Sequence, residues 1–597
     1  MGHFEESEIQ DKGFDVALMK RLMSYAKPFT GLLALSFLMI LLATVVDLAR
    51  PWMIKIAVDE YISPVGSIPK DEAVKGVQQI VFFLFLLITG GFFFNYLQVY
   101  LLSYVGQRVI HNMRTTLYDK VMHLPLSFFD KNPTGRLVTR LTNDMENLNE
   151  LYTSVLVSFF KDVFLLGGII IMMIRLDLKV SFMVFITIPI IVWVSIVFRK
   201  KSRKAYRLVR TRLAVINSSL SENISGMRII QIFAQEERKK EEFSKYNEAH
   251  LDASMKELFI FAIFRPSMDL IYSFGLALLI WFAGGAVLKG QMPFGVLFAF
   301  INYLEQFFHP IYDLSEKFNI MQSAMASSER IFQLMDEPLT SDVEDEETKD
   351  YPEITGKIEF ENVWFSYTED EDWVLRDVSF VIHPGETVAF VGSTGSGKTT
   401  IISLIARLYE IQKGRILIDS VDIKDIPVSH LRNQISAVLQ DVFLFTGDIK
   451  SNIRLDNDEI SDEKIEAVAK FVNADRFINK LPKAYDANVE ENGATFSSGE
   501  RQLLAFARAL AYEPKILILD EATSNIDTQT ELLIQDAITR VIQNRTTIVV
   551  AHRLSTIQHA DNIIVLHKGK IREMGRHDEL LSQKGIYHNL YLLQYKN

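Results

Sequence analysis

The sequence predicts two unlike parts: an α-helical domain that crosses a membrane six times, and an α/β domain with a mainly parallel sheet. The N-terminal half contains long runs without a charged residue, which indicates membrane spans. After an acidic segment, short runs rich in Val and Ile alternate with longer helical stretches. That alternation is typical of parallel strands covered by helices.

Composition narrows the class of protein before any motif is considered. The chain has 597 residues, no cysteine, and a net charge of -11 from 63 Lys and Arg against 74 Asp and Glu. Without cysteine there is no disulfide scaffold, zinc ribbon or thiol nucleophile. The length predicts more than one folding unit, and the negative charge argues against nucleic acid as a partner.

Four of the six predicted spans are uncharged over their whole length. A helix needs about 20 residues to cross a hydrocarbon core about 30 Å thick. The uncharged runs cover residues 28–46, 76–107, 180–198 and 270–288. Four spans together with buried soluble helices is the alternative, and it is disfavoured because a soluble domain would then expose a large apolar surface.

Two further spans are predicted despite ionisable residues within them. One covers about 151–174 and contains Lys161 and Asp162; the other covers about 293–320 and contains Glu305 and Asp313. Such residues are costly at membrane depth and usually face a cavity or a partner. They could equally lie near the membrane interface or pair for structural reasons, and the sequence leaves these interpretations open. The membrane domain is predicted to occupy residues 1–335.

A basic run sets the predicted orientation. Eight Lys and Arg residues lie between positions 199 and 212, and such runs mark the cytoplasmic side of a span. With six spans, the N-terminus and the C-terminal domain are then cytoplasmic. We therefore expect a multi-pass protein of the cell membrane, embedded in the lipid bilayer.

An acidic linker is predicted at residues 336–354, because like charges and two prolines, Pro338 and Pro352, disfavour a packed core.

The C-terminal domain, residues 355–597, contains a complete phosphate-binding loop. Its residues are Gly392, Ser393, Thr394, Gly395, Ser396, Gly397, Lys398 and Thr399.

The chemistry of this loop follows from its residue types. Backbone N–H groups surround phosphate oxygens, Lys398 reaches the outer phosphates, and the Thr399 hydroxyl binds Mg²⁺. The loop follows a strand-like run at 387–391 and opens a helix whose positive end favours anions. We include Thr400, the next residue, in the predicted binding set.

A second candidate site follows another apolar strand, residues 516–519, which ends in Asp520 and Glu521. Asp520 is predicted to hold Mg²⁺ through water, and Glu521 to accept a proton from an attacking water. A purely structural role, in which Asp520 caps the next helix, is the alternative.

These motifs resemble those of the ATP-binding-cassette exporters, in which six spans precede one P-loop ATPase cassette in a half-transporter. By this resemblance Tyr367 stacks on the adenine of ATP, Gln440 senses Mg²⁺, and His552 contacts the γ-phosphate. The D-loop corresponds to residues 524–527. The resemblance covers nearly the whole chain and implies ATP and Mg²⁺ as cofactors.

One motif departs from the family pattern. Where the family has Leu-Ser-Gly-Gly-Gln, this chain has Phe496, Ser497, Ser498, Gly499 and Glu500. Ser497 and Gly499 keep donors for phosphate, but an acid near phosphate is unfavourable. In this family two cassettes clasp two ATP molecules, so an altered signature beside an intact Glu521 resembles one half of a heterodimer whose partner is a different chain with a standard signature. A homodimer remains the alternative.

The resemblance implies ATP-driven export of hydrophobic small molecules by alternating access, with drugs ahead of lipids and lipids ahead of peptides. Segments near 128–141 and 233–243 would couple the two domains. A homodimeric lipid or peptide exporter, or an ATP-gated channel, is the alternative. The hydrophobic half argues against a soluble ATPase of DNA repair or translation, and importers commonly keep spans and cassette on separate chains.

Overall fold

The computed structural model describes residues 15–63, 69–339, 352–368, 372–521, 528–551 and 557–595. The chain divides into two compact units. One comprises Met1–Met122 and Gly135–Glu337, and the other comprises His123–Thr134 and Pro338–Asn597. The short segment His123–Thr134 therefore belongs with the C-terminal unit, although it interrupts the N-terminal one.

The first unit is entirely helical in its described part. Its helices are α1 Val16–Ala26, α2 Thr30–Ile56, α3 Lys70–Met122, α5 Thr134–Leu141, α6 Asn143–Glu150, α7 Leu156–Leu176, α8 Leu178–Phe185, α9 Thr187–Ser225, α10 Met227–Ile232, α11 Glu236–Leu279, α12 Gly285–Leu288 and α13 Phe294–Asp336, while α4 Leu126–Lys131 lies in the segment that joins the second unit. Turns of π-helix join several of them, so consecutive helices form longer rods.

Five helical segments of the described chain are long and apolar enough to cross a membrane. They are Val16–Ile62, Lys70–Met122, Thr134–Leu176, Leu178–Ser225 and Glu236–Leu288. The span predicted at 151–174 is thus present in spite of its charges. The sixth predicted span also forms a helix, α13, but within the described residues its apolar part, Phe294–Phe308, is shorter than a full span.

Polar contacts tie the helices of this unit together. The Lys161 ammonium on α7 lies 3.5 Å from Asn95 Oδ1 on α3, which supports a structural role for that charge. Nearer the end of α13, Arg330 Nε donates to Asp144 Oδ2 at 2.9 Å, and the Ser327 hydroxyl donates to the same buried carboxylate.

The first residue of the predicted acidic linker is also the last residue of α13. α13 continues to Asp336, whose carboxylate accepts two hydrogen bonds from the Arg21 guanidinium at 2.7 Å. Residues 340–351 of the predicted linker lie outside the described residues.

The second unit is built on a six-stranded sheet of order β12-β11-β3-β10-β9-β6. All neighbouring pairs are parallel except β11 with β12, which confirms the predicted mainly parallel sheet. The strands of the unit are β1 Ile358–Phe365, β2 Leu375–Ile382, β3 Thr387–Val391, β4 Lys413–Ile418, β5 Val421–Asp422, β6 Ile435–Val438, β7 Gly447–Asp448, β8 Asn488–Val489, β9 Ile516–Glu521, β10 Thr546–Ala551, β11 Asn562–His567 and β12 Lys570–Gly575.

Helices cover this sheet, and the strand β3 is buried at every position. The helices of the described part are α14 Lys398–Ile405, α15 Val428–Asn433, α16 Ile449–Arg454, α17 Asp462–Phe471, α18 Asp475–Ile478, α19 Ser498–Ala511, α20 Thr528–Val541, α21 His577–Ser582 and α22 Ile586–Tyr595. Because both of its faces are buried, the sheet has the continuous apolar strands seen in the sequence.

A second, antiparallel sheet of order β2-β1-β4-β5 was not predicted. On β1 the side chains of Ile358, Phe360, Val363 and Phe365 are buried, while most of those between them are partly or fully exposed. An antiparallel sheet with one face in the core produces this alternation. Reasoning from continuous apolar runs therefore misses it.

Asp419 anchors the edge of this antiparallel sheet. Its carboxylate accepts hydrogen bonds from the Thr355 hydroxyl at 2.6 Å and from the Thr355 and Lys357 backbone N–H groups at 2.5 and 2.8 Å. Burial acts to raise the pKa of Asp419, but these hydrogen bonds outweigh it and the pKa lies below its ordinary value.

We expect Asp419→Asn to lower the free energy of unfolding by about 1 to 2 kcal/mol at neutral pH. Asn tolerates the left-handed φ of 50° at this position, so the variant isolates the loss of the carboxylate. A depressed pKa stabilises above the unfolded-state value and the benefit is lost on acidification. Denaturant unfolding should therefore show a wild-type advantage that shrinks below about pH 4; a constant difference down to pH 3 would contradict the assignment.

Candidate functional site

The sheet order gathers the predicted motifs at one edge. The phosphate loop follows β3, Asp520 and Glu521 end β9, and Gln440 lies two residues beyond the end of β6. His552 directly follows β10, which lies between β3 and β9. Because these four strands are parallel, their carboxyl ends meet at the same edge, where α/β proteins bind ligands. His552 itself and the D-loop at 524–527 lie outside the described residues.

The phosphate loop takes backbone conformations that glycine permits. Gly395 has a φ of 77° and Gly397 a φ of 104°, both in the left-handed region. A Cβ atom on Gly397 would also lie 2.6 Å from Leu375 Cδ2. These two positions let the chain turn sharply from β3 into α14, whose N-terminal N–H groups then lie at the loop.

Lys398 is held inside this turn. Its ammonium donates to the backbone carbonyls of Gly392 at 2.8 Å and Ser393 at 3.1 Å. Burial lowers the pKa of Lys398, and the negative charge of Asp520 opposes that shift only in part. An anion bound at the loop would therefore stabilise the charged form of Lys398 more than the two neutral carbonyls do.

Two hydroxyls complete the loop. Ser396 is buried, and among the described residues its Oγ has no hydrogen-bond partner, which is unusual for a buried polar atom. Thr399, in the first turn of α14, is exposed. A bound phosphate would supply the missing partner for Ser396, so the residues present fit a phosphate group.

The predicted metal-binding residues differ in exposure. Asp520 is buried at the end of β9, whereas Gln440 is exposed after β6. Of Glu521 only the backbone is described, paired in register with Ala551 of β10.

The predicted adenine-stacking residue lies beside the phosphate helix. Tyr367 is 43% exposed, so part of the side chain is accessible to a base. Its hydroxyl shares a hydrogen bond of 3.0 Å with Thr400 Oγ1. Its ring packs edge-on against Phe365 and Tyr409, with centroids 4.8 and 5.1 Å apart.

The altered signature forms the N-terminus of α19. Ser497 is the N-cap residue, and its backbone N–H and hydroxyl both donate to Glu500 Oε2, at 2.8 and 2.9 Å. The Glu500 N–H in turn donates to Ser497 Oγ at 3.2 Å. Ser497 is exposed and Gly499 is buried. A carboxylate only accepts hydrogen bonds, so the Ser497 hydroxyl is the donor in its contact with Glu500.

The structure describes both segments that are predicted to couple the two domains. Residues 128–141 divide between the units at Thr134. The segment predicted at 233–243 begins in the turn between α10 and α11, where Ala234 has a φ of 47°. The exposed apolar side chains of this region, Ile229, Ile232 and Phe233, lie at the N-terminal side of the predicted segment.

Two contacts were missed by sequence reasoning. The Ser497–Glu500 capping pair has a sequence signal, because Ser-x-x-Glu before an apolar helix is a known capping pattern. The contact of Tyr409 with Tyr367 has no such sequence signal, since 42 positions separate the two residues and only the fold brings them together.

Comparisons with known proteins agree with this arrangement. The family described as the ABC transporter transmembrane region matches residues 33–311, and the family described as ABC transporter matches residues 375–524. An ABC transporter ATP-binding protein of Streptococcus pneumoniae is 42% identical over 589 residues, covering 98% of this chain and 99% of the relative.

Two further relatives carry more specific names. A Bacillus subtilis protein named "Probable multidrug resistance ABC transporter ATP-binding/permease protein" is 40% identical over 524 residues, 87% of this chain and 77% of its own length. An ATP-dependent lipid A-core flippase of Syntrophus aciditrophicus is 35% identical over 580 residues, 97% of this chain and 95% of its own length.

The fold and the site define a membrane protein with a fused P-loop ATPase. The chain belongs to the ABC transporter family, as a half-transporter in which the transmembrane region and the ATP-binding domain are one polypeptide. Its C-terminal unit is the ATPase domain of such a transporter.

Proposed function

We propose that this protein is one half of a dimeric exporter that uses ATP to move hydrophobic compounds out of the cytoplasm. The observation that carries the proposal is the phosphate site at the edge of the parallel sheet, in the same chain as the apolar helices. Relatives named for multidrug resistance and for lipid A-core flipping support hydrophobic drugs or lipids as the cargo.

The ATP site is assigned to residues from several elements. The loop from Gly392 to Thr399, with Thr400, would hold the phosphates, and Tyr367 the adenine. Thr399, Asp520 and Gln440 would hold Mg²⁺, which offsets phosphate charge when bound. Glu521 is the proposed base, and His552 the proposed contact to the γ-phosphate.

Transport into inside-out membrane vesicles tests this function. We expect ATP to drive accumulation of a hydrophobic fluorescent dye or a labelled lipid against its gradient, and a non-hydrolysable analogue to fail. Current across a planar bilayer without uphill accumulation would instead favour the ATP-gated channel.

The contact between Ser497 and Glu500 supports an unequal pair of ATP sites. By the family arrangement, the signature of one chain covers the phosphates held by the other. Here the signature hydroxyl donates to a carboxylate, and that carboxylate would lie near the phosphates. A glutamine in this position could donate as well as accept, which would free the serine proton. We infer a partner chain with a standard signature, whose hydroxyl completes the site built around Glu521.

The Glu500→Gln variant tests this inference. Purified alone, the chain should hydrolyse ATP slowly, because every composite site would use this altered signature. Glu500→Gln should raise the turnover of the chain alone by about tenfold, the equivalent of one recovered charge-assisted hydrogen bond.

A matched control is Glu579→Gln. Glu579 also caps a helix, α21, by accepting from the Arg576 N–H at 3.0 Å, but it lies outside the proposed site. Its turnover should equal that of the parent chain. Full substrate-stimulated turnover by the unmodified chain alone would defeat the heterodimer and favour the homodimer.

A further inference from the structure

Tyr409 connects the adenine side of the proposed ATP site to the segment His123–Thr134. Its hydroxyl donates to Asp130 Oδ2 at 2.6 Å, and its ring packs edge-on against Tyr367. Asp130 lies on α4, within the part of the loop between the second and third spans that belongs to the C-terminal unit. One side chain thus contacts both the predicted base-binding residue and a segment that continues directly into the membrane helices.

Tyr409 is also connected to the phosphate loop along the chain. The helix α14 begins at Lys398 in that loop and ends at Ile405, four residues before Tyr409. At a rise of about 1.5 Å per residue such a helix is a rigid element only about 12 Å long. The hydroxyl of Tyr367 also shares a hydrogen bond with Thr400 on this helix. A change at either the phosphates or the base therefore reaches Tyr409 through packed groups.

The Tyr409 phenol keeps its proton at physiological pH and can therefore donate to Asp130. Burial, together with the hydrogen bond to Asp130, raises the pKa of Tyr409 well above its ordinary value. The phenol consequently stays protonated and donates, while the carboxylate accepts.

We propose that Tyr409 is a positioning residue that transmits nucleotide occupancy from Tyr367 and α14 to the segment His123–Thr134 through its bond to Asp130. This proposal rests on the proposed adenine site at Tyr367. A base that stacks on Tyr367 must fix the orientation of that ring, and Tyr409 packs against the ring at 89°. The position of the Tyr409 hydroxyl, and with it that of Asp130, then depends on whether nucleotide is bound.

The test is the ratio of solute transported to ATP hydrolysed, measured for the complete transporter in vesicles. Tyr409→Phe keeps the ring and removes only the hydroxyl. We expect nucleotide affinity to stay within about twofold of the parent and hydrolysis to continue, while the transport ratio falls at least about fivefold, since one hydrogen bond to a charged group is lost. Asp130→Ala, at an exposed position, should lower the ratio as much as Tyr409→Phe does. The double variant should lower it no further than either single variant.

Tyr512→Phe is the matched control. The Tyr512 hydroxyl also makes a 2.6 Å hydrogen bond, to the Arg454 carbonyl, but away from the proposed pathway, so the ratio should not change. An unchanged ratio in Tyr409→Phe, additive effects in the double variant, or a parallel fall in hydrolysis and transport would each overturn the proposal. Tyr367→Ala distinguishes a failure of the proposed adenine site from a failure of the transmission through Tyr409. Unaltered ATP affinity in that variant would refute the adenine site itself.

Discussion

Glu521→Gln is expected to suppress ATP hydrolysis at least about 100-fold while ATP binding persists, because a positioned general base contributes about 10² to 10⁴ in rate. Glu521 ends β9, at the sheet edge where the phosphate loop also lies. Glutamine has nearly the same shape but does not take up the proton of the attacking water. Single-turnover hydrolysis and nucleotide binding, measured on the assembled transporter, separate the two steps.

The control for this variant is Glu466→Gln, a change to an exposed acid on α17 that belongs to none of the predicted motifs. Its hydrolysis should match the parent. Turnover in Glu521→Gln that equals the parent would remove Glu521 from the role of base, whatever its position on the strand.

Lys398→Ala is expected to lower ATP affinity at this site at least about tenfold. The reason is the burial of the ammonium: it is desolvated, its pKa is lowered, and its present partners are two neutral carbonyls. A hydrogen bond between an ammonium and phosphate is worth about 1.5 to 3 kcal/mol, and about 1.4 kcal/mol is a factor of ten.

Equilibrium binding of a fluorescent ATP analogue measures this change. Lys470→Ala, on the exposed end of α17, removes the same positive charge outside the loop and should leave affinity unaltered. If Lys398→Ala binds nucleotide as tightly as the parent does, the lysine does not contact the phosphates.

Most of the fold could be predicted because its strongest signals are local. The uncharged runs specify spans by length alone, and the strand-loop-helix context of the phosphate motif places it at a sheet edge. The helix at 151–174 forms with Lys161 and Asp162 inside it, and the Lys161 ammonium lies 3.5 Å from Asn95 Oδ1 on a neighbouring helix.

The parts that escaped prediction depend on contacts distant in sequence. The antiparallel sheet pairs β1 with β4, more than 40 positions apart, and its alternating burial is a weaker signal than a continuous apolar run. The contact between Tyr409 and Asp130 joins residues 279 positions apart. No pattern along the chain encodes such a pair, because only the packed fold brings them together.

The altered signature differs from the family pattern in its hydrogen bonding as well as in its charge. Glu500 was identified as a departure on grounds of charge, but its partner was not. The structure gives the reason that charge alone does not: Glu500 accepts from both the backbone and the hydroxyl of Ser497. The departure thus changes the acceptor to which the Ser497 hydroxyl donates as well as the local charge.

The central claim is that nucleotide chemistry in the C-terminal unit drives solute movement through the membrane helices. Its most direct test is the initial rate of dye or lipid accumulation in inside-out vesicles that contain either the parent transporter or the Glu521→Gln form, at equal protein content and saturating ATP. The account predicts that accumulation in the variant falls to the level seen without ATP. Accumulation at the parent rate, with hydrolysis verified as lost in the same vesicles, would contradict it.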